Sequence, residues 1–321
     1  MEKKYELTDD VIRETGGDGF PAFLYRIKAL RDFECSGIQI HTGDLGGYIE
    51  GEDNLSHEGS CWVFDDAKVF DSAKVYGDAC VSESAEVSAY AEVYGQAIVS
   101  DQSVVSGYAK VYGEAKVSDM GFVIGHSDVS GDAGVAGTST VDDSIVSDSA
   151  YITGDSYISK GAIVRGDAIV SGNAIIHGDA VVEERGDFIV FHIWWSAKNE
   201  RYTWTRSNNK WNNWNGAITA KEMIAKGYED SPTSGCRYEE IVRYVNEIRN
   251  EKREVKTLRD KIIEELKVLK ADPLMQTPPI AIELVEDNYP EVVDYLSTEG
   301  MIAGLLLVLE LLDEKENSNT R

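Results

Sequence analysis

Between Cys61 and Val182 the chain places one small and one aliphatic residue in every six positions. The small residues run Ala67, Ala73, Ala79, Ala85, Ala91, Ala97, Ser103, Ala109, Ala115, Gly121, Ser127, Ala133 and Ser139, and a Val follows each by two positions, from Val69 to Val141. The phase then slips by one residue near Asp142. It resumes at Ser144, Ala150, Ser156, Ala162, Ala168, Ala174 and Ala180, with Val146, Ile152, Ile158, Val164, Val170, Ile176 and Val182 in the aliphatic slot. Such a period predicts a solenoid without a globular core of its own. Each hexad reads as a short strand with two inward residues, followed by a tight bend. Three hexads close one turn, so residues 18 apart stack. Tyr76, Tyr94 and Tyr112 form one such column, Gly77, Gly95, Gly113 and Gly131 a second, and Ser82, Ser100 and Ser118 a third, with Ser88 above Ser106. Glycine at a bend suits a backbone that needs positive φ. Twenty small-residue slots predict about seven coils, a rod of about 30 Å at the ~4.8 Å spacing of a β-ladder.

The flanks follow other periods. Residues 1–60 predict strands near Phe23–Leu30 and Tyr48–Glu50. Ile49 and Leu55 lie six apart and six before Cys61, so this segment reads as an N-terminal cap on the 61–185 solenoid. Residues 186–271 form a Trp-rich α+β region. A strand at Phe188–Trp195 and an alternating strand at Arg201–Arg206 make a hairpin, and Thr219–Glu222 is a capping box opening a helix. A long helix over 237–270 carries Ile241, Ile248, Val255, Ile262 and Leu269 seven apart. Its other seam positions are irregular, so packing on its own domain and an inter-subunit bundle both stay open. A C-terminal helical segment at 280–313 and a disordered tail at 314–321 complete the chain.

The order Val111-Tyr112-Gly113-Glu114-Ala115-Lys116 resembles the hexapeptide repeat of left-handed parallel β-helices. That resemblance implies the handedness, and the fold class becomes mainly β: a left-handed parallel β-helix with a small cap and an α+β plus helical C-terminal region. The flanks look like a group of uncharacterised hexapeptide-repeat proteins of phages and prophages of Gram-positive bacteria. The carrying segments are Tyr25–Phe33, Gly43–Glu50, Trp194-Trp195 and Tyr202–Asn208. The likeness implies a viral origin and a role against the host, without naming a target. Many enzymes of the β-helix superfamily are acyltransferases in which a His acts as general base and acyl-CoA lies along the coils between subunits. They usually need a loop protruding from a coil, whereas these hexads run without insertion. Under that alternative His126 or His177 is the base and acetyl-CoA the cofactor; otherwise no cofactor is expected. Both positions read as outward, where a lone His is more often a solvated surface residue. No Ser-His-Asp order, Walker loop or HExxH occurs. The pairs Asp65-Asp66 and Asp142-Asp143 sit at bends, where Asp is favoured by turn geometry alone, so no metal is expected.

Charge narrows the partners. A net charge of −26, half of it inside the repeat, disfavours direct nucleic-acid binding and anionic membrane surfaces. Acidity serves solubility in one reading, and in another it competes for a basic, nucleic-acid-binding protein. Four cysteines without metal spacing read as reduced thiols. The N-terminus lacks an apolar h-region, and the longest apolar run, Met301–Leu309, is too short to span a bilayer. A cytoplasmic location follows, the host's if the chain is viral. The binding candidates are Tyr76, Tyr94 and Tyr112, with Phe64, Phe70, Tyr90 and Tyr108 nearby in phase. Trp194, Trp204 and Arg206 could stack on a planar group such as a nucleobase. Against these stand self-association through the tyrosine face, as a trimer or dimer, and a purely packing role for the tryptophans. The expectation is a non-enzymatic, oligomeric acidic binding protein, a phage counter-defence inhibitor that occupies a host protein or its nucleic-acid-binding surface. The rivals are an acyl-CoA-dependent acyltransferase, sequestration of a nucleotide-type signal, and a structural role.

Overall fold

Every residue of the aliphatic slot from Val63 to Val182 is buried, and each pairs in parallel with its equivalent one coil away. The computed structural model describes residues 3–16, 19–193 and 200–249. The chain divides into two compact units, 1–244 and 245–321. In the first, strands mostly of two or three residues build three parallel sheets around one interior of stacked Ala, Val and Ile. Sheet one runs from Leu45–Ile49 through Lys68–Val69 to Ile175–His177. Sheet two runs from Trp62–Val63 to Ile169–Val170, and sheet three from Lys74–Val75 to Val181–Val182. Each coil buries about three aliphatic side chains, each contributing roughly 1.5–3 kcal/mol. The result is a parallel β-solenoid in a mainly β protein.

The solenoid has about eight turns where the repeat predicts about seven. The extra turn comes from the segment read as a cap. Leu45–Ile49 pairs in parallel with Lys68–Val69, Leu55 bridges Val75, and both Ile49 and Leu55 are fully buried. They are the first coil's aliphatic rungs, written before the small-x-Val pattern begins. The cap proper lies further out. Tyr5–Thr15 pairs antiparallel with Pro21–Ala29, which pairs antiparallel with Leu45–Ile49, so sheet one changes from antiparallel to parallel at that strand. The Tyr5–Thr15 strand had no sequence signal, because its residues are mostly polar and partly exposed. At the open end Lys4 is fully buried, its Nζ donating to the Cys61 carbonyl at 2.7 Å. Burial pushes the Lys4 pKa down from its ordinary value.

Bends explain both the small-slot serines and much of the acidity. Ser103, Ser127, Ser139 and Ser156 are buried, and each hydroxyl donates to the carbonyl three residues earlier. The inward hydroxyl therefore costs little. Asp65, Asp71, Asp101, Asp119 and Asp148 sit at bends with positive φ. Each accepts the backbone N–H of the bend residue one coil further on: Glu83, Ala89, Asp119, Gly137 and Gly166. The one-residue slip is absorbed at the bend of Asp143, whose carboxylate accepts the His126 N–H at 2.7 Å.

The last coil is closed by a four-stranded antiparallel sheet of Phe188–Ile193, Glu200–Thr205, Lys210–Asn213 and Gly216–Ile218. Its side chains accept N–H groups that have no further coil to bond. Ile175 N–H donates to Thr203 Oγ1 at 2.8 Å, His177 N–H to Asn212 Oδ1 at 3.3 Å, and Val181 N–H to Ser207 Oγ at 2.8 Å. An edge strand left open would invite pairing with another chain. The Ala220–Asp230 helix opens on the expected box: Thr219 Oγ1 accepts the Glu222 N–H, and the Glu222 carboxylate accepts the Thr219 N–H. Residues 232–249 are helical; the remainder of the long-helix reading, the 280–313 segment and the tail lie outside the described residues.

Candidate functional site

Sheet three carries the chemistry that stands out. Around the strand Glu92–Val93, Ala91 and Val93 point inward and Glu92 and Tyr94 outward by two-residue alternation, while Tyr90 projects from the bend just before it. Repetition every coil turns those three residues into three columns. Tyr76, Tyr94 and Tyr112 stack with ring centroids 4.8 and 5.0 Å apart and planes within 3°. On the other side of the strand, Tyr90, Tyr108 and His126 stack at 4.9 and 4.9 Å, within 9°. Between the ladders runs Lys74, Glu92, Lys110 and Asp128, which alternates in sign. Four residues separate the ladders, at most about 13 Å of chain.

The two ladders differ in setting. Tyr90 and Tyr108 are 56% and 53% exposed, and His126 ends their column against Asp143, 3.3 Å from its Nδ1. The accepted His126 N–H, and after it that ring contact, hold the Asp143 carboxyl below the usual carboxylate range. The Tyr76 ladder is half-buried. Tyr76 Oη donates to the Glu92 carboxylate at 2.9 Å. Burial, then that carboxylate, pushes the Tyr76 pKa up, and burial and Tyr112 push up that of Tyr94. The Tyr76 and Tyr94 phenols are therefore neutral at neutral pH. Because the rings stack face to face, an approaching partner meets ring edges and hydroxyls rather than open π-faces. Of the predicted site residues, Tyr76, Tyr94 and Tyr112 come together as one surface. The second ladder was missed as a stack, although its signal was present: 90, 108 and 126 are also 18 apart.

Trp204, Arg206 and His177 are held in contacts within the fold. Trp204 is fully buried, with Nε1 donating to Asn209 Oδ1 at 2.9 Å. The Arg206 guanidinium lies 5.6 Å over its ring, donates to the Gly186 carbonyl at 3.2 Å and pairs with Asp187. Trp194 lies outside the described residues. His177, expected outward, is instead only 2% exposed, because the C-terminal sheet covers the end of sheet one. Its Nδ1 bonds Ser159 Oγ and its Nε2 bonds the Asn213 carbonyl at 2.8 Å. A carbonyl can only accept, so Nε2 carries the proton and Nδ1 accepts from Ser159. Burial pulls the His177 pKa down. Of the two candidate bases, His126 is the accessible one, at 75% side-chain exposure.

A shallow groove of about 540 Å³ runs along the bend after sheet two, past Asp119, Met120, Thr138, Asp155 and Asn173. Its polar groups already bond one another: Thr138 Oγ1 and Asn173 Nδ2 both donate to Asp155. Among the described residues no group of three His, Cys, Asp or Glu is placed to hold a metal ion, and no helix is long and apolar enough to cross a membrane. No protein-family model matches the chain, and no curated protein matches it in sequence.

Proposed function

We propose that the chain is a non-catalytic binding scaffold that docks a macromolecular partner on the outer surface of sheet three. The observation that carries the reading is the pair of stacked aromatic ladders flanking a column of alternating charge. A solenoid holds such side chains in fixed register, so little conformational entropy is lost when a partner orders them. Tyrosine supplies apolar edge and a hydroxyl at each rung, the composition of interface anchors. The surrounding acidity favours a basic protein surface over nucleic acid, although the bend carboxylates described above also serve the coil stack. Kinship with phage hexapeptide-repeat proteins would make that partner a host protein and the outcome inhibition. This part of the reading rests on the resemblance of the flanks alone.

The acyltransferase alternative has less support. His177 is enclosed with both ring nitrogens engaged, and a base must reach the proton it abstracts. His126 is reachable, but its ring is stacked on Tyr108 and its Nδ1 faces Asp143.

The test compares the full chain with a triple variant Tyr76→Ala, Tyr94→Ala, Tyr112→Ala and, separately, with charge reversal of the rod's exposed carboxylates. Complexes are read by native mass spectrometry after gentle isolation from cells expressing the protein. Loss of the wild-type complexes in the tyrosine variant, with circular dichroism unchanged, supports the reading. Complexes indifferent to both sets of substitutions would overturn it.

A further inference from the structure

The central column of sheet three reads Lys74, Glu92, Lys110, Asp128 in successive coils. The sequence plus, minus, plus, minus has a symmetry property. Laid against a copy of itself in the same direction, it sets Lys on Lys and Glu on Glu. Laid against a copy running the opposite way, it sets Lys74 opposite Asp128 and Glu92 opposite Lys110, so every pair is attractive. The ladders obey the same operation. A two-fold axis along the strand direction, passing between the Glu92 and Lys110 rungs, faces Tyr94 with the second copy's Tyr112 position and Tyr90 with its Tyr108 position.

The other two surfaces lack this property. On sheet two the equivalent positions are Trp62, Cys80, Ile98, Lys116, Gly134, Tyr151 and Ile169, with a single charge, and Trp62 and Cys80 are buried. Sheet one presents Lys68 and Glu86 and then turns uncharged at Val104 and Phe122. Lys68 is, moreover, already paired with Glu14 of the cap. On sheet three neither Lys74 nor Lys110 forms an ion pair among the described residues, and both are exposed. Their ammonium groups are therefore available to carboxylates on a second chain.

Resting on the docking reading above, we propose that the occupant of the sheet-three surface is a second copy of this chain, packed antiparallel about a two-fold axis. Isologous pairing of this kind is the commonest oligomer symmetry, and it requires a self-complementary patch. From the rung of Leu55, which bridges Val75, to the rung of Ile145 the overlap is six coils, about 24 Å tall and about 13 Å wide. That footprint is well below the ~800 Å² per partner of a standard interface. The dimer is accordingly weak and reversible, and its charge pairs set orientation and register more than affinity.

The experiment is sedimentation velocity of the full chain from about 1 to 200 μM, with three variants. Wild type moves from monomer toward dimer across that range. Lys110→Glu leaves each Glu92 facing an acidic side chain and weakens dimerisation at least tenfold. Glu92→Lys does the same by placing Lys opposite Lys. The double variant Glu92→Lys/Lys110→Glu restores opposite signs in the antiparallel arrangement alone and returns the association to within about threefold of wild type. Thermal melts of each variant at 1 μM check that the coil stack is intact. A wild type monomeric throughout, or a dimer not rescued by the double variant, overturns the proposal. If the wild type is monomeric yet holds another protein that the tyrosine variant releases, docking stands and self-pairing falls. If no partner of either kind depends on this surface, both fall.

Discussion

Removing the middle ring of the half-buried ladder should cost more than removing an end ring. Tyr94 stacks on Tyr76 at 4.8 Å and on Tyr112 at 5.0 Å, whereas Tyr112 has a ring neighbour on one side only. Aromatic pairs contribute about 0.5–1.5 kcal/mol beyond their burial. These rings are half-exposed, so the lower half of that range applies. Tyr94→Ala then loses two contacts, about 1–2 kcal/mol, and Tyr112→Ala one, about 0.5–1 kcal/mol, on top of similar losses of apolar area. A Tyr76/Tyr94 double-mutant cycle should return a coupling of about 0.5–1 kcal/mol. Repeat arrays need not unfold in two states, so the assay is native-state hydrogen exchange at the ladder's own amides. The Tyr94 N–H, bonded to the Val111 carbonyl at 3.0 Å, is a direct reporter. Equal costs at positions 94 and 112, with coupling below about 0.3 kcal/mol, would mean the rings are merely adjacent. The argument that stacking preorganises the sheet-three surface would then be refuted.

Three further outcomes follow from the same geometry. Gly95→Ala places a Cβ 2.9 Å from the Gly113 nitrogen at φ +72°, so the melting temperature should fall by several degrees, reflecting about 1–3 kcal/mol of local strain. An unchanged melt would show that the bends can spread. Asp119→Ala removes the acceptor for the Gly137 N–H and should cost about 1 kcal/mol. Asp132→Ala, whose carboxylate has no hydrogen-bond partner among the described residues, should be neutral in the same denaturation assay; equal effects would refute a structural role for the bend carboxylates. His177 has a pKa lowered by burial, so below the ordinary value of 6.5 the unfolded chain takes up a proton that the folded chain refuses. Stability is therefore full above about pH 6.5 and declines as pH falls toward the folded-state pKa. His177→Asn should flatten that decline in melts between pH 7 and 5, and an identical slope in the variant would contradict it.

The 18-residue columns were legible because a solenoid translates sequence period directly into spatial stacking. The Tyr76 ladder, the glycine bends and the position of the slip could all be written down from residue numbers. The first coil was harder to see. Ile49 and Leu55 are six apart but sit two residues out of phase with the slot that begins at Val63, pairing with Val69 and Val75 at a separation of 20 rather than 18, so they read as a lid although they are rungs. The charged column was in plain view too, yet its meaning depends on which surface it shares with the tyrosines, and that required the three sheets to be laid out. His177 went wrong for a different reason. Local period places it outward, and only the distant Lys210–Asn213 strand encloses it.

The sequence by itself determined the repeat, the parallel ladder and the inward Ala and Val, because each depends on residues within a coil or on the same residue one coil away. Tertiary structure decided how the two ends are closed and which outward positions stay outward. Lys4 is buried by the cap, and His177 and the N–H groups of Ile175 and Val181 are taken up by Thr203, Asn212 and Ser207. Those contacts join segments of unrelated period tens of residues apart, where hydrogen-bond satisfaction and burial choose the partner and no local pattern announces it.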